Sequence, residues 1–242
     1  GEKTERDLQE TTTSVQVFTS NDLENSTVQD LDDVLDQTAN VTQRFGGEGF
    51  AIRGINNTTV SGNILGSGPL ASLYIDGASI STYAIRTGIE ELWDVEQIEV
   101  LRGPQSTTQG RNTLAGAIII KTKDPTYNLE AAARGGLGTQ NSALFSGMVN
   151  VPIIKNKLAV RVAVDLQKTD GFNSNPTLNI EDQAFNENKS VRGKVLFEPS
   201  DKIKNTLTLA FSKNESGDDA VDFTNPFQRN FFGNIQGKEA TD

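Results

Sequence analysis

Neither cysteine nor histidine occurs in the 242 residues. Without thiols there is no disulfide framework and no thiolate metal site, and without imidazole the common zinc and haem ligand sets cannot be assembled. No nucleophile can be activated by a histidine or cysteine, and the carboxylates form no recognisable acid/base pair, so the residues argue against an enzyme and call for no cofactor. Long apolar runs are missing too: none approaches the roughly 18 to 20 residues that a membrane-spanning helix needs. No basic stretch leading into an apolar one opens the chain at Gly1, so any secretory leader is expected to have been removed. Positive charge is scarce in one half. Residues 1–125 carry 9 Lys plus Arg against 18 Asp plus Glu, whereas residues 126–242 carry 13 against 14. An acidic first half repels phosphate backbones, which argues against nucleic acid as a partner.

What is present changes character along the chain. Gly1 to Thr12 is polar and reads as an extended lead-in. Ser14 to Thr19 alternates polar and apolar residues, the pattern of a short half-buried strand. Ser26 and Gln29 form a capping box, and Val28, Leu31, Val34 and Leu35 share one helical face, predicting a helix from about Thr27 to Thr38. Its acids Asp30, Asp32 and Asp33 suit the early turns of a helix; they do not make a calcium loop, because Leu35 stands where the sixth position needs glycine. Four apolar runs follow, Phe50 to Arg53, Ser72 to Asp76, Ile98 to Arg102 and Ala117 to Thr122, divided by glycine-rich turns. These predict a small α+β domain, closed at Asp124-Pro125 because proline cannot donate to a continuing ladder. The expected division is therefore 1–125 and 126–242.

Beyond Pro125 the period is two. Leu158, Val160, Val162, Val164 and Leu166 alternate with Ala159, Arg161, Ala163, Asp165 and Gln167. Val191, Gly193, Val195 and Phe197 alternate with Arg192, Lys194 and Glu198, and Leu207, Leu209 and Phe211 with Thr206, Thr208 and Ser212. Phe145, Val149 and Val151 repeat the pattern less cleanly, and Leu129 to Gly138 is a weak first run. The result is an expectation of about five strands of about ten residues, a length that crosses a bilayer at a tilt. Short connections (Val151 to Lys157, Pro199 to Lys204) alternate with long ones (Thr169 to Lys189, and the residues after Lys213), as in an outer-membrane barrel; the short turn near Gln140 breaks the rule. A soluble β-sandwich also alternates, but it buries its apolar face against a second sheet. Five strands cannot close, and lipid does not tolerate open edges, so the strands are expected to belong to a larger barrel.

Four motifs lie in the first domain: Phe50-Ala51-Ile52-Arg53-Gly54, Leu73-Tyr74-Ile75-Asp76-Gly77, Ile98-Glu99-Val100-Leu101-Arg102-Gly103-Pro104-Gln105, and Gly110-Arg111-Asn112 through Gly116-Ala117-Ile118-Ile119-Ile120. In order and spacing they resemble the plug domain of TonB-dependent outer-membrane receptors. The resemblance covers residues 14–125, and the strands that follow match the start of the family's barrel. It implies a transmembrane β-barrel, with roughly 22 strands in the family and about five here, carrying an N-terminal α+β plug. It also implies a Gram-negative outer-membrane location and TonB-dependent import of a scarce nutrient, with a ferric siderophore as the first expectation. An oligosaccharide, cobalamin or another non-iron ligand is the alternative, and a β-rich adhesin or binding module a further one.

By the same resemblance, Arg53 and Arg102 pair with glutamates of the barrel wall beyond Asp242 and lock the plug, with Glu99 assisting. An unpaired buried arginine costs several kcal/mol, whereas arginines that merely cap strands at a surface stay solvated. The ligand-facing loops implied by the resemblance hold Arg44, Phe45 and Glu48, then Asn56, Asn57 and Asn63, then Tyr83 and Arg86. Aromatic and cationic side chains there suit an anionic aromatic chelate; amides suit a sugar or peptide-like ligand. TonB is expected to act through a segment N-terminal to Gly1, because Gly1-Glu2-Lys3-Thr4 begins where the family's TonB box would have ended. Residues 106–109 depart from the usual pattern and are assigned no role.

Overall fold

The computed structural model describes residues 14–25, 31–43, 50–56, 70–80, 92–104, 113, 115–170, 185–200 and 202–217. Strand β1 (Ser14–Thr19) matches the alternating run and leads directly into a short helix, α1 (Ser20–Asn25), that the sequence pattern did not signal. Thr19 caps it. The Thr19 amide and hydroxyl donate to the Asp22 carboxylate at 2.9 and 2.7 Å, while the Asp22 amide donates back to the Thr19 hydroxyl at 3.3 Å. These bonds, the amide's first, favour the charged carboxylate and hold Asp22 below its ordinary value. The cap's contribution is therefore present at neutral pH and lost as pH falls through that depressed value.

Of the helix expected from Thr27 to Thr38, the described part is α2 (Leu31–Asp36), with Leu31, Val34 and Leu35 buried; Ser26, Val28 and Gln29 lie outside the described residues. It ends earlier than expected. The Thr38 amide bonds to the Leu35 carbonyl at 3.0 Å, tightening the last turn, and Asn40 is left-handed at φ 61°.

A three-stranded sheet follows, β2 (Val41–Gln43), β3 (Phe50–Ile52) and β4 (Ile55–Asn56). A mixed five-stranded sheet is built from β1 with β5 (Ala71–Ile75), β6 (Ala78–Ile80), β7 (Val95–Arg102) and β8 (Gly116–Thr122), in the order β1-β7-β8-β5-β6. Among the described strands of this sheet only β5 and β8 run parallel. Its core joins Leu73, Ile98, Val100, Ile118 and Ile120 to Val34, Phe50 and Ile52. Both tight reversals have two successive left-handed residues, Arg53-Gly54 (φ 53° and 77°) and Asp76-Gly77 (φ 48° and 83°), the backbone a two-residue hairpin requires. Gly116 is needed for space as well: a Cβ there would lie 2.2 Å from the Leu101 carbonyl oxygen, at a φ of 154°. Gly116→Ala is expected to destabilise the N-terminal domain by about 1–3 kcal/mol or more, read as a lower urea midpoint.

The second half is an antiparallel meander of β9 (Glu130–Leu137), β10 (Ala143–Ile154), β11 (Leu158–Thr169), β12 (Asn186–Ser200) and β13 (Ile203–Ser216). Its burial is inverted relative to a soluble sheet. Arg161 and Ala163 are 3% and 2% exposed, whereas Val162, Leu207 and Phe211 are 42%, 57% and 67% exposed. A sandwich would do the opposite, so this is the wall of a membrane barrel, apolar toward lipid and polar toward the inside. The strands outrun the expected ten residues: Asn186 to Lys189, assigned from sequence to a long loop, begin β12, and β13 continues to Ser216. Alternation fades there because strands that rise past the hydrocarbon have no lipid to select an apolar face.

Candidate functional site

Arg53 is exposed, in the turn between β3 and β4, and its amide donates to the Asn40 carbonyl at 2.7 Å. Its Nη1 lies 3.5 Å from where a side chain on Gly103 would begin, so the first and third motifs meet in space. Arg102 ends β7 and donates Nη1 to the Ala39 carbonyl at 2.9 Å, while its buried Nε has no hydrogen-bond partner. Among the described residues, no carboxylate forms an ion pair with either arginine. Glu99 is half-buried in β7 and accepts from Gln97 Nε2 at 2.9 Å. Arg44, Phe45, Glu48, Asn57, Asn63, Tyr83 and Arg86 lie outside the described residues, as do Gly110 to Asn112 and residues 106–109; Asn56 is placed in β4.

A second constellation, which the sequence reading did not assemble, joins the mixed sheet to the wall. Arg161 of β11 and Lys194 of β12 stand directly opposite each other, and both point to the buried face. Two like charges so placed repel unless carboxylates come between them. Four do. Arg161 makes a two-pronged pair with Asp94, Nε to Oδ2 at 2.8 Å and Nη2 to Oδ1 at 2.6 Å, and reaches Glu130 at 3.1 Å. Lys194 meets Asp76 at 3.1 Å and Asp124 at 3.0 Å, and also donates to the Thr122 carbonyl at 3.0 Å. Three of these acids belong to the N-terminal half, whose surplus of acid thus meets the cations of the inner wall.

Local backbone geometry aims these groups. Asp94 is left-handed (φ 60°) in the turn before β7, a conformation that short polar side chains tolerate best. Arg192, which faces Ala163 across the ladder and so has room to extend, donates Nη2 to the Trp93 carbonyl at 2.8 Å. Trp93 Nε1 donates to the Gly147 carbonyl at 3.1 Å, and the Arg134 guanidinium sits 4.9 Å from the centre of its ring. Arg134 also donates to Ser146 at 3.0 Å, and Ser146 in turn bonds Asp165. At the margin of the wall the Tyr127 hydroxyl donates to Glu198 at 2.5 Å; burial, and then that bond, push the phenol up to about 12, so it remains a donor throughout the neutral range. The arrangement engages its charges with one another. It is a clamp: the corner Trp93-Asp94, the Asp76 turn and the exit segment at Asp124 are held by Arg161, Arg192 and Lys194. The sequence signal was available, since all three cations occupy non-lipid positions of the alternation, but alternation names a face and not a partner.

Residues 7–117 match the family described as the TonB-dependent Receptor Plug Domain. The chain is 32% identical over 115 residues to the Pesticin receptor of Yersinia pestis, covering 47% of this chain and 16% of that protein. It is 23% identical over 220 residues to the Ferrioxamine receptor of Yersinia enterocolitica, covering 89% of this chain and 29% of that protein. Among solved structures, the ferric yersiniabactin uptake receptor of Yersinia pestis superposes with a TM-score of 0.70 at 24% identity, over 84% of this chain and 31% of that one. The chain therefore spans less than a third of the length of each.

Proposed function

We propose that the chain, whose residues 7–117 match the plug domain of TonB-dependent receptors, forms the plug (residues 1–125) and opening barrel strands (residues 126–242) of an outer-membrane receptor that imports a ferric siderophore. The observation that carries the reading is the clamp itself: a folded domain is seated by paired charges on the polar face of a membrane wall. A barrel stoppered in this way passes a solute only if something moves the stopper. TonB supplies that work through a segment N-terminal to Gly1. Among the described residues the pull first meets β1, an edge strand of the plug sheet held to β7 alone within that sheet. The choice of ligand rests on the likeness to receptors named for ferrioxamine and for ferric yersiniabactin.

Deleting the gene should slow growth under iron limitation and abolish uptake of radio-iron supplied as ferrioxamine or a ferric catecholate, with the same loss when TonB is absent. Unchanged growth and uptake would overturn the siderophore reading, and a defect relieved by cobalamin or an oligosaccharide would move it to the non-iron alternative.

Arg53 and Arg102 are proposed to complete the lock from the plug side, the orphaned Nε of Arg102 being the donor that a wall glutamate would satisfy. Arg53→Ala and Arg102→Ala are each expected to raise conductance in planar bilayers and sensitivity to large antibiotics. Wild-type values in both assays would remove the role.

A further inference from the structure

The two ends of the wall treat their lysines differently. At the short-turn end, the β10–β11 turn (Lys155 to Lys157) and the β12–β13 turn at Lys202 lie side by side: the Glu198 amide donates to the Lys157 carbonyl at 2.7 Å, and Leu158 stands opposite Phe197 in the ladder. Lys155, Lys157, Lys202 and Lys204 are thereby gathered on one exposed rim. Glu198 already has both oxygens engaged, one by the Tyr127 hydroxyl at 2.5 Å and the other by Lys204 at 3.7 Å. Among the described residues, Lys155, Lys157 and Lys202 have no ion pair. Asp201 lies outside the described residues; counting it, the two turns carry four cations against two carboxylates. At the other end of the same strands, Lys189 and Lys213 face each other across the ladder, and each is paired on its own strand, with Glu187 at 2.5 Å and Glu215 at 2.8 Å.

Exposed lysines alone make a solvated surface, but these have apolar neighbours that water does not suit. Ile153 and Ile154 enter the first turn and Ile203 leaves the second, all of them exposed. Depth along the wall says what covers them. The lipid-facing run from Leu158 to Leu166 covers roughly 26 Å along β11, which tilt reduces to about 20 Å, whereas the apolar band of such barrels is about 25 Å tall. The isoleucines complete the band at its lower edge, and the lysines next to them fall at the level of the lipid headgroups.

We infer that the rim formed by the β10–β11 and β12–β13 turns binds an anionic glycerophospholipid, its phosphate met by Lys155, Lys157 and Lys202 and its acyl chains by Ile153, Ile154 and Ile203. Free phosphate would satisfy the lysines and leave the isoleucines in water. A zwitterionic phospholipid would cover the isoleucines and bring no net charge to offset the lysines. The short turns of such barrels lie on the periplasmic side, so the lipid is one of that leaflet. The inference is independent of the cargo and rests on the barrel wall alone.

The test uses the full-length receptor in phosphatidylcholine vesicles, with a fluorophore on Ser200→Cys as its single thiol. Spin-labelled phosphatidylglycerol should quench that rim at about a tenfold lower lipid fraction than spin-labelled phosphatidylcholine with the same chains, a cluster of lysines at a membrane surface gaining about fivefold for each. Lys155→Gln, Lys157→Gln and Lys202→Gln together should bring the two lipids within about twofold of each other, while Lys→Arg at the same three positions should keep the preference. Lys189→Gln with Lys213→Gln, at the opposite rim, should also keep it. Inorganic phosphate should weaken the preference no more than sodium chloride of equal ionic strength. Equal quenching by both lipids in the parent, or a preference that survives the three glutamines, overturns the site. A preference lost equally through the opposite rim would show an effect of net charge instead, and one abolished by inorganic phosphate a site for the free anion; either result also overturns it.

Discussion

Arg161→Met in the full-length receptor is expected to destabilise plug docking by about 3–5 kcal/mol, the usual cost of stripping one partner from a buried ion pair. Both members are 3% exposed, so the Asp94 carboxylate would be left in a space where water cannot compensate it. Glu130 is more exposed and would lose a contact of smaller worth. Trp93, the one tryptophan in this chain, sits in the same corner and reports the release. Its emission, taken as the difference from Trp93→Phe, should change at a lower urea concentration in the variant. Asp94→Leu combined with Arg161→Met should recover most of the loss, since removing both charges removes the orphan. If the double variant is as weak as the single one, the clamp acts through shape and not through charge.

Lys194→Met should cost about 3 kcal/mol by the same reasoning, but with a different signature. Lys194 is 4% exposed and ties the Asp76 turn and the Asp124 exit segment at once, so its loss frees the hairpin while Asp94 stays paired with Arg161. Amide exchange should rise across β5 and β6 and stay low in β7. Asp76→Asn should reproduce only part of this, because Asp124 still holds the ammonium. Equal exchange in β6 and β7, or none in either, would show that the two contacts are not separable in this way.

Much of this architecture was legible as pattern. Period-two alternation located β11 to within two residues and told which of its side chains meet lipid, because every second residue of a strand faces the same way. The Asp76-Gly77 turn was legible for an equally local reason: few other dipeptides adopt two left-handed conformations in a row. Where local preference is weak the reading slipped. The six residues of α1 are too few for an amphipathic period to register, and Asn186 to Lys189 look like loop because their apolar alternation has faded above the lipid.

The sequence by itself determined the two halves' characters, the faces of the wall strands, and the uneven placing of acid in residues 1–125. Only the tertiary structure decided that Asp94 meets Arg161 and that Asp76 and Asp124 converge on Lys194. Each of those pairings joins residues about 70 to 120 positions apart. Propensity and periodicity act over a few residues, whereas such contacts exist only after one sheet has been set against another, and an ion pair has no local signature to announce its partner.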